Sequence, residues 1–332
     1  MNDLTNMIYE VRDITRSPDE WRKLTQKHGS RIFSLYETLK FNVFGKDKLF
    51  GTVINIEGKI TLLPLIFRVR DEIVLESLMF PVLAPSHQRI VLDVITDIAE
   101  KYGAEKIILG SFTQGVETLD PQLASSMVAR DRCEFVFDLS MPYEEILQGI
   151  HSNHRRKIRK NKNSGHRMEK LDKDQIRHLM SCETDWKRKK GISAGYYSLF
   201  RQFMKHRSYK RELLDKGAAN LFGVKSVDDT VLSIALMLED GEEAFYMIGA
   251  STDRGYKSGA SVYLFSELVL YYQQQSFTRL NLGGVPMDAL QSDHEEHGVY
   301  RFKHAFGLQP QVRKSGILKL NSKSRGRGQY ES

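Results

Sequence analysis

Cysteine is scarce. Only Cys133 and Cys182 occur among 332 residues, too few for a disulfide framework, and this excludes the small stapled scaffolds of secreted domains. Long apolar runs are missing too. The longest clear one, Ile60 to Phe67, is broken by Pro64 and falls far below the roughly 20 residues that cross a bilayer. No membrane-spanning helix is expected. Residues 1 to 13 hold no apolar core of a secretory leader, so a reducing cytoplasm is the expected location. Absent as well are a Walker loop, a Gly-x-Ser-x-Gly elbow and a cysteine nucleophile motif.

What is present is positive charge, aromatic side chains and a repeated plan. The net charge of +7 favours anionic partners such as phosphates, nucleic acid or a lipid headgroup surface, and it also aids solubility. With 41% hydrophobic residues, 17 Phe and 14 Tyr, the chain can fill about two cores. Leu49-Phe50-Gly51 opens an alternating region that leads through the amphipathic stretch Ile90 to Ala99 to the run Lys106 to Leu109 and Gly110. Leu221-Phe222-Gly223 opens a second such region, with Val262 to Tyr272 as its helix and Arg279 to Leu282 running into Gly283-Gly284. The first copy spans about 61 residues and the second about 62, which predicts a duplicated domain. Long antiparallel regions followed by a helix and one buried strand make the fold class α+β.

Residues 1–140 are read as the first lobe, closing near Phe135-Val136-Phe137. Ser17 to Leu39 is helical around Trp21, and Phe41 to Arg70 is a hairpin turning at Glu57-Gly58. Linking helices with a basic segment are expected over 141–218, where Ile146, Leu147, Ile150, His154 and Ile158 mark one face of a helix. The second lobe is expected over 219–318, with strands at Ala219 to Val224, Val231 to Leu238 and Ala244 to Ala250. The basic tail 319–332 has little to bury and is expected to be disordered.

Three stretches could carry chemistry. In Asp253-Arg254-Gly255-Tyr256-Lys257-Ser258-Gly259-Ala260, small residues would present backbone N–H groups at a helix start, with Arg254 and Lys257 adding charge for a pyrophosphate. The alternative is an ordinary strand-to-helix turn. In His154 to Lys162, six of nine residues are Lys or Arg. On a helix, Arg155, Arg159 and Lys162 would share a face beside Arg156 and Lys160, forming a ladder for phosphates or a nucleic-acid backbone, or else a solvated face. In Gly298 to Gly307, Arg301 and Lys303 alternate with Tyr300, Phe302 and His304. On a strand the aromatics would anchor one face while the cations formed a clamp. His294 and His297 have no third ligand at a recognisable spacing, so no metal is expected.

Taken together, His151-Ser152-Asn153-His154-Arg155-Arg156-Lys157-Ile158-Arg159-Lys160, Trp186-Lys187-Arg188-Lys189-Lys190-Gly191-Ile192 with Tyr196-Tyr197, and Tyr300-Arg301-Phe302-Lys303-His304-Ala305-Phe306-Gly307 resemble the FemABX-like and CelD/BioF-like acyltransferases of the GNAT superfamily. The octapeptide at 253–260 partly matches the GNAT Arg-x-x-Gly-x-Gly/Ala turn, with Lys257 in place of the first glycine. The resemblance implies two GNAT-like lobes, each a mixed, mostly antiparallel sheet flanked by helices. It implies N-acyl transfer to an amine on an amino sugar or another cell-envelope or polysaccharide precursor, with acyl-CoA (acetyl-CoA) as donor. The other branch of the family implies an aminoacyl-tRNA donor and a peptidoglycan-bridge acceptor. Partners are then an anionic small-molecule or lipid-linked glycan acceptor, tRNA in the second branch, and a peripheral membrane surface. Lys303 and Arg301 would hold acceptor phosphates or stabilise the oxyanion, Arg155, Arg156 and Arg159 would hold further anionic groups, and Tyr300 would join the substrate site. Arg254, Tyr256, Lys257, Gly259 and Ala260 would form the donor-side turn, and Asp288 would accept the amine proton. Trp186, Arg188 and Tyr196 would line the acceptor cleft between the lobes. A non-catalytic RNA or polyanion binder is the rival from another class.

Overall fold

The computed structural model describes residues 8–29, 31–43, 45–80, 83–110, 119–189 and 209–320. The chain forms two compact units, residues 1–132 with 312–332, and residues 133–311. The first holds strands β1 (Ile8–Asp13), β2 (Lys48–Ile56), β3 (Lys59–Val69), β4 (Ile73–Ser77), β5 (Lys106–Leu109), β6 (Val128–Ala129) and β14 (Gly316–Lys319), with helices α1 (Pro18–His28), α2 (Tyr36–Phe41), α3 (Pro85–Lys101) and α4 (Pro121–Ser126). The second holds β7 (Arg132–Asp138), β8 (Arg167–Leu171), β9 (Ala219–Lys225), β10 (Val231–Glu239), β11 (Glu243–Ser251), β12 (Arg279–Pro286) and β13 (Gln311–Arg313). Its helices include α5 (Tyr143–Gly149), α6 (Ser152–Asn163), α7 (Ile176–Lys189), α8 (Asp253–Ser258), α9 (Ala260–Gln274) and α10 (His297–His304).

The sheets share one plan. Strand order runs β1-β2-β3-β4-β5-β14-β6 in the first unit and β8-β9-β10-β11-β12-β7-β13 in the second. Pairings are antiparallel up to β4 and β11, and then parallel from β4 to β5 and from β11 to β12, with α3 and α9 in the corresponding connections. The repeated Leu-Phe-Gly has a physical cause. A Cβ on Gly51 would come within 2.4 Å of the Trp21 ring, and one on Gly223 within 2.6 Å of Leu171, so each second strand needs a residue without a side chain beneath its neighbour.

Local signals place the elements. Glu57 and Gly58 both have positive φ, 52° and 82°, which is the two-residue turn whose twist suits a tight hairpin. Val91, Val94, Ile95 and Ile98 bury one face of α3 among the sheet residues Phe50, Leu65 and Leu75. In the second unit α9 is buried almost all round, through Val262, Leu264, Phe265, Leu268, Val269 and Tyr272, so it serves as the core against which Phe222, Leu280, Leu282 and Phe306 pack. Among the described residues no helix is long and apolar enough to cross a membrane.

Four expectations change. The strand read as closing the first lobe, around Phe135, belongs to the second unit, where it lies beside β12, while the C-terminal β14 returns to the first unit beside β5. Lys319 is therefore part of a strand, and residues 321–332 of the expected tail lie outside the described residues. The helix expected through Ile146 to Ile158 is two helices, because Ile150 is extended (ψ 134°) and the His151 N–H donates to the Ala305 carbonyl instead of continuing the ladder. The segment Gly298 to His304 is helical, not a strand. Its alternation is chemical only; contacts run at helical spacing, with Tyr300 on His304 (5.4 Å between ring centres) and Phe302 on Phe306 (5.4 Å).

Candidate functional site

The second sheet comes apart at one place. β11 and β12 pair in parallel only over Glu243 to Phe245 against Arg279 to Asn281, although β11 continues to Ser251 and β12 to Pro286. Burial follows the separation, since the first three residues of β11 are buried and the remaining six are partly open. A bulge at Met247, between the Leu236 and Met237 pairings of β10, bends β11 away from its partner. The gap is a cavity of about 410 Å³, lined by Tyr246, Gly249, Ser251, Phe265, Leu282 and Lys303 among others, with Gly259 and Ser261 at the start of α9.

Among the described residues the corresponding strands of the first lobe behave differently. There β4 and β5 stay paired through Ser77 and Leu109, the Gly110 N–H donates to the Ser77 carbonyl at 2.6 Å, and the Phe80 N–H donates to Gly110. A Cβ on Gly110 would lie 2.5 Å from the Leu78 carbonyl oxygen. The two lobes share the sheet plan but differ, among the described residues, in how far the parallel pair stays joined.

Lys303 stands at the opening. It is 6% exposed, and its ammonium donates to the Gly284 carbonyl at 3.1 Å. Helix α10 delivers it there because Phe306, one turn on, is buried against Phe137 and Phe265. The helix then ends at Gly307 (φ 80°), where any Cβ would fall 2.3 Å from the Gly149 carbonyl oxygen. The Phe-Lys…Phe-Gly pattern is thus an anchor, a cation and a close approach. Arg301, two residues before Lys303, is exposed on another side of the helix, so the expected two-cation clamp does not form.

A second cavity of about 620 Å³ adjoins the first and shares Lys157, Gly298 and Phe302 with it. Its wall carries His151, His154, Lys157, Tyr300, Arg301 and His304 and, among the described residues, no carboxylate. Tyr300 and Arg301 therefore line the second cavity, and Lys303 the first. Sequence reasoning missed Lys157, which lay unremarked within the basic run. Its methylenes lie against Gly259, where a Cβ would meet them at 2.7 Å, and the helix that bears it is stapled in place by Asn161, whose amide donates to the Ser258 carbonyl at 2.9 Å. His154 was missed as well. Its Nε2–H donates to the Phe302 carbonyl, and burial pulls its pKa down to about 4, so it is neutral at pH 7.

The remaining expected residues are placed as follows. Arg155 is occupied, donating to the carbonyls of Gln148 and Ile150 at the end of α5. Arg156 and Arg159 are exposed on α6. Arg254 pairs with Asp228 at 2.9 Å on the surface, which holds the Asp228 carboxyl well below the usual range, and Lys257 and Tyr256 are exposed. Tyr256 and Gly259 line the first cavity, whereas Ala260 is buried in the core. Asp288 sits exposed on the single turn Met287–Leu290 and lines neither cavity; the Gly-Gly-Val-Pro run before it carries the chain past the opening. Trp186 and Arg188 fall on α7, but their side chains, like all of Tyr196, lie outside the described residues. His294 and His297 serve the loop itself, through the Glu296 N–H and the Ala289 carbonyl, and among the described residues no group of metal ligands gathers.

Twin sheets that pass from antiparallel to parallel pairing at the same step, with a cleft opening from that step in the second, make up a fold of duplicated GNAT-like lobes. Residues 150–304 match the Acetyltransferase (GNAT) domain family. The whole chain is similar to the crystal structure of FemX, at 16% identity and a TM-score of 0.66, covering 94% of this chain and 98% of that one. It is also similar to a conserved protein of unknown function from Bacteroides thetaiotaomicron (11% identity, TM-score 0.61, 95% and 100% covered) and to L-PGS from Bacillus licheniformis (14%, 0.59, 92% and 93%). At these identities the likeness is one of fold. No curated protein matches the sequence. The chain has a two-lobed fold like that of FemX, and the match to the Acetyltransferase (GNAT) domain family falls within its second unit.

Proposed function

We propose that the protein transfers an acyl group from acyl-CoA to an amine on an amino sugar or another anionic cell-envelope precursor. The observation that carries this reading is the separation of β11 from β12 with the Lys303 ammonium at its opening. An extended thioester arm suits that gap, because the strand edges on either side of it can hydrogen-bond to a peptide-like chain. Lys157 and the Gly259 turn would meet the donor's phosphates, a task the sequence had suggested for Arg254.

The chemistry needs no covalent enzyme intermediate. The amine nitrogen bonds to the carbonyl carbon, the carbonyl electrons move onto oxygen, and collapse of that oxyanion breaks the carbon–sulfur bond, the departing thiolate taking up the proton that the nitrogen loses. A cation fixed beside the oxyanion lowers the barrier by being in place beforehand. Lys303 is suited to this because burial and the Gly284 carbonyl hold its ammonium still. The basic second cavity, with Arg301 and Tyr300, would seat the acceptor's anionic end.

A second reading, an aminoacyl-tRNA donor, draws on the exposed Arg156, Arg159 and Lys160, which continue the basic wall along α6 with no acid among them, and on the fold shared with FemX over nearly its whole length. Calorimetric titration with acetyl-CoA, and then with charged tRNA at two salt concentrations, separates the two. Saturable acetyl-CoA binding lost in Lys157→Ala supports the first reading. Binding of charged tRNA alone moves the donor to tRNA, and binding of neither overturns both. If a polyanion binds while no acyl transfer occurs, the non-catalytic reading holds.

A further inference from the structure

Where β11 and β12 part, three buried polar side chains from three adjacent strands meet. Asn281 on β12 donates through Nδ2 to Glu134 on β7 and to Glu243 on β11, both at 3.0 Å. Its Oδ1 accepts the Gly283 N–H at 2.8 Å. All three residues are at most 1% exposed. Glu243 is also paired with Arg279, its neighbour across the parallel register. Burial raises the Glu243 carboxyl against that pull.

Such a cluster is expensive to bury unless its geometry is needed. Asn281 uses both amide hydrogens and its oxygen, a combination no carboxylate or hydroxyl can copy. What the oxygen fixes is Gly283, in the left-handed region at φ 72°, so the chain turns sharply and Gly284 offers its carbonyl to the Lys303 ammonium at 3.1 Å. A Cβ on Gly283 would lie 3.7 Å from the same nitrogen. The connection runs from the carboxylates through the amide to the glycine turn and on to the cation.

We infer that Asn281 is the positioning residue for Lys303, acting through the Gly283-Gly284 turn and locked in place by Glu134 and Glu243. This rests on the acyl-transfer role given to Lys303 above. In the full chain, Asn281→Asp removes both donors and adds a third carboxylate. It should lower kcat by about 10- to 100-fold, the scale of a misplacement near 1 Å, with the KM for the acyl donor within about twofold. Adding Glu243→Gln to that variant returns an amide donor to face the introduced carboxylate and should recover most of the loss.

A second readout does not require turnover. Labelling by acetic anhydride, followed residue by residue by mass spectrometry, should show the Lys303 rate changed by about fivefold or more in Asn281→Asp, with Lys157 unchanged, the difference that a shift of about 1 kcal/mol in the ammonium's surroundings produces. If labelling changes but no donor is turned over by any form, the positioning stands and the transferase reading falls. If Lys303 labelling and kcat are both unchanged in folded Asn281→Asp, the inference is overturned. Should that variant not fold, Asn281→Ala, which removes the side-chain donors and the acceptor without adding charge, is read in the same way.

Discussion

The ring of His154 on α6 donates its Nε2–H to the carbonyl oxygen of Phe302 on α10 at 3.2 Å. With the His151 N–H on the Ala305 carbonyl, this bond ties the basic helix to the helix that carries Lys303, and Phe306 closes over the same ring edge-on, 4.7 Å between centres.

That bond has a consequence in acid. His154 has its pKa lowered from 6.5 to about 4 by burial, so between these values the unfolded chain takes up a proton that the folded one refuses. Stability contributed by neutral His154 is complete above pH 6.5 and is lost as the pH falls toward 4, by on the order of 3 kcal/mol in total. Denaturant unfolding at pH 7, 5.5 and 4.5 should show this loss, and it should be largely absent in His154→Gln.

Lys303→Met should reduce kcat/KM by about 100- to 1,000-fold, as removal of an oxyanion donor does, while far-UV circular dichroism stays unchanged. A loss of less than about tenfold would separate the cation from the transfer step.

Lys157 and Arg254 should differ in donor binding. Arg254 and Asp228 are each 58% exposed, and surface pairs of this kind contribute little, so Arg254→Ala should leave acetyl-CoA affinity within about threefold. Lys157→Ala should weaken it by about tenfold or more, the scale of a lost charged hydrogen bond.

Two glycines of one motif should respond oppositely. Gly307→Ala forces a side chain into a positive φ and against the Gly149 carbonyl, and should cost about 3 kcal/mol. Gly298→Ala meets nothing within 4 Å and lies in a helix, so it should be neutral or stabilising by up to about 1 kcal/mol. Thermal unfolding of both variants checks the pair.

The duplication, the hairpin at Glu57-Gly58, the three-stranded meander of the second lobe and the basic character of α6 were all legible in the sequence. Each is a short-range pattern, a turn or a periodicity of side chains along one element, and such patterns carry their physics locally. The motif around Lys303 was legible as chemistry but not as geometry. Alternating aromatics and cations suggested a strand, whereas packing of Phe302 and Phe306 under the helix decided otherwise.

Only the tertiary structure could separate the working cations from the rest. Arg155, Arg254 and Lys157 read alike in a basic sequence, yet one caps a helix end, one pairs on the surface and one lies across Gly259 beside both cavities. Strand exchange likewise escaped the sequence, because β7 and β14 join sheets remote from where their positions in the chain suggest. The opening between β11 and β12 lies where a bulge at Met247 interrupts the β10 register and where pairing with β12 stops at Asn281, long-range relations that no local pattern reveals. Sequence determines which residues are available along each element; which of them meet is set by long-range packing, in which a contact is decided by both partners at once.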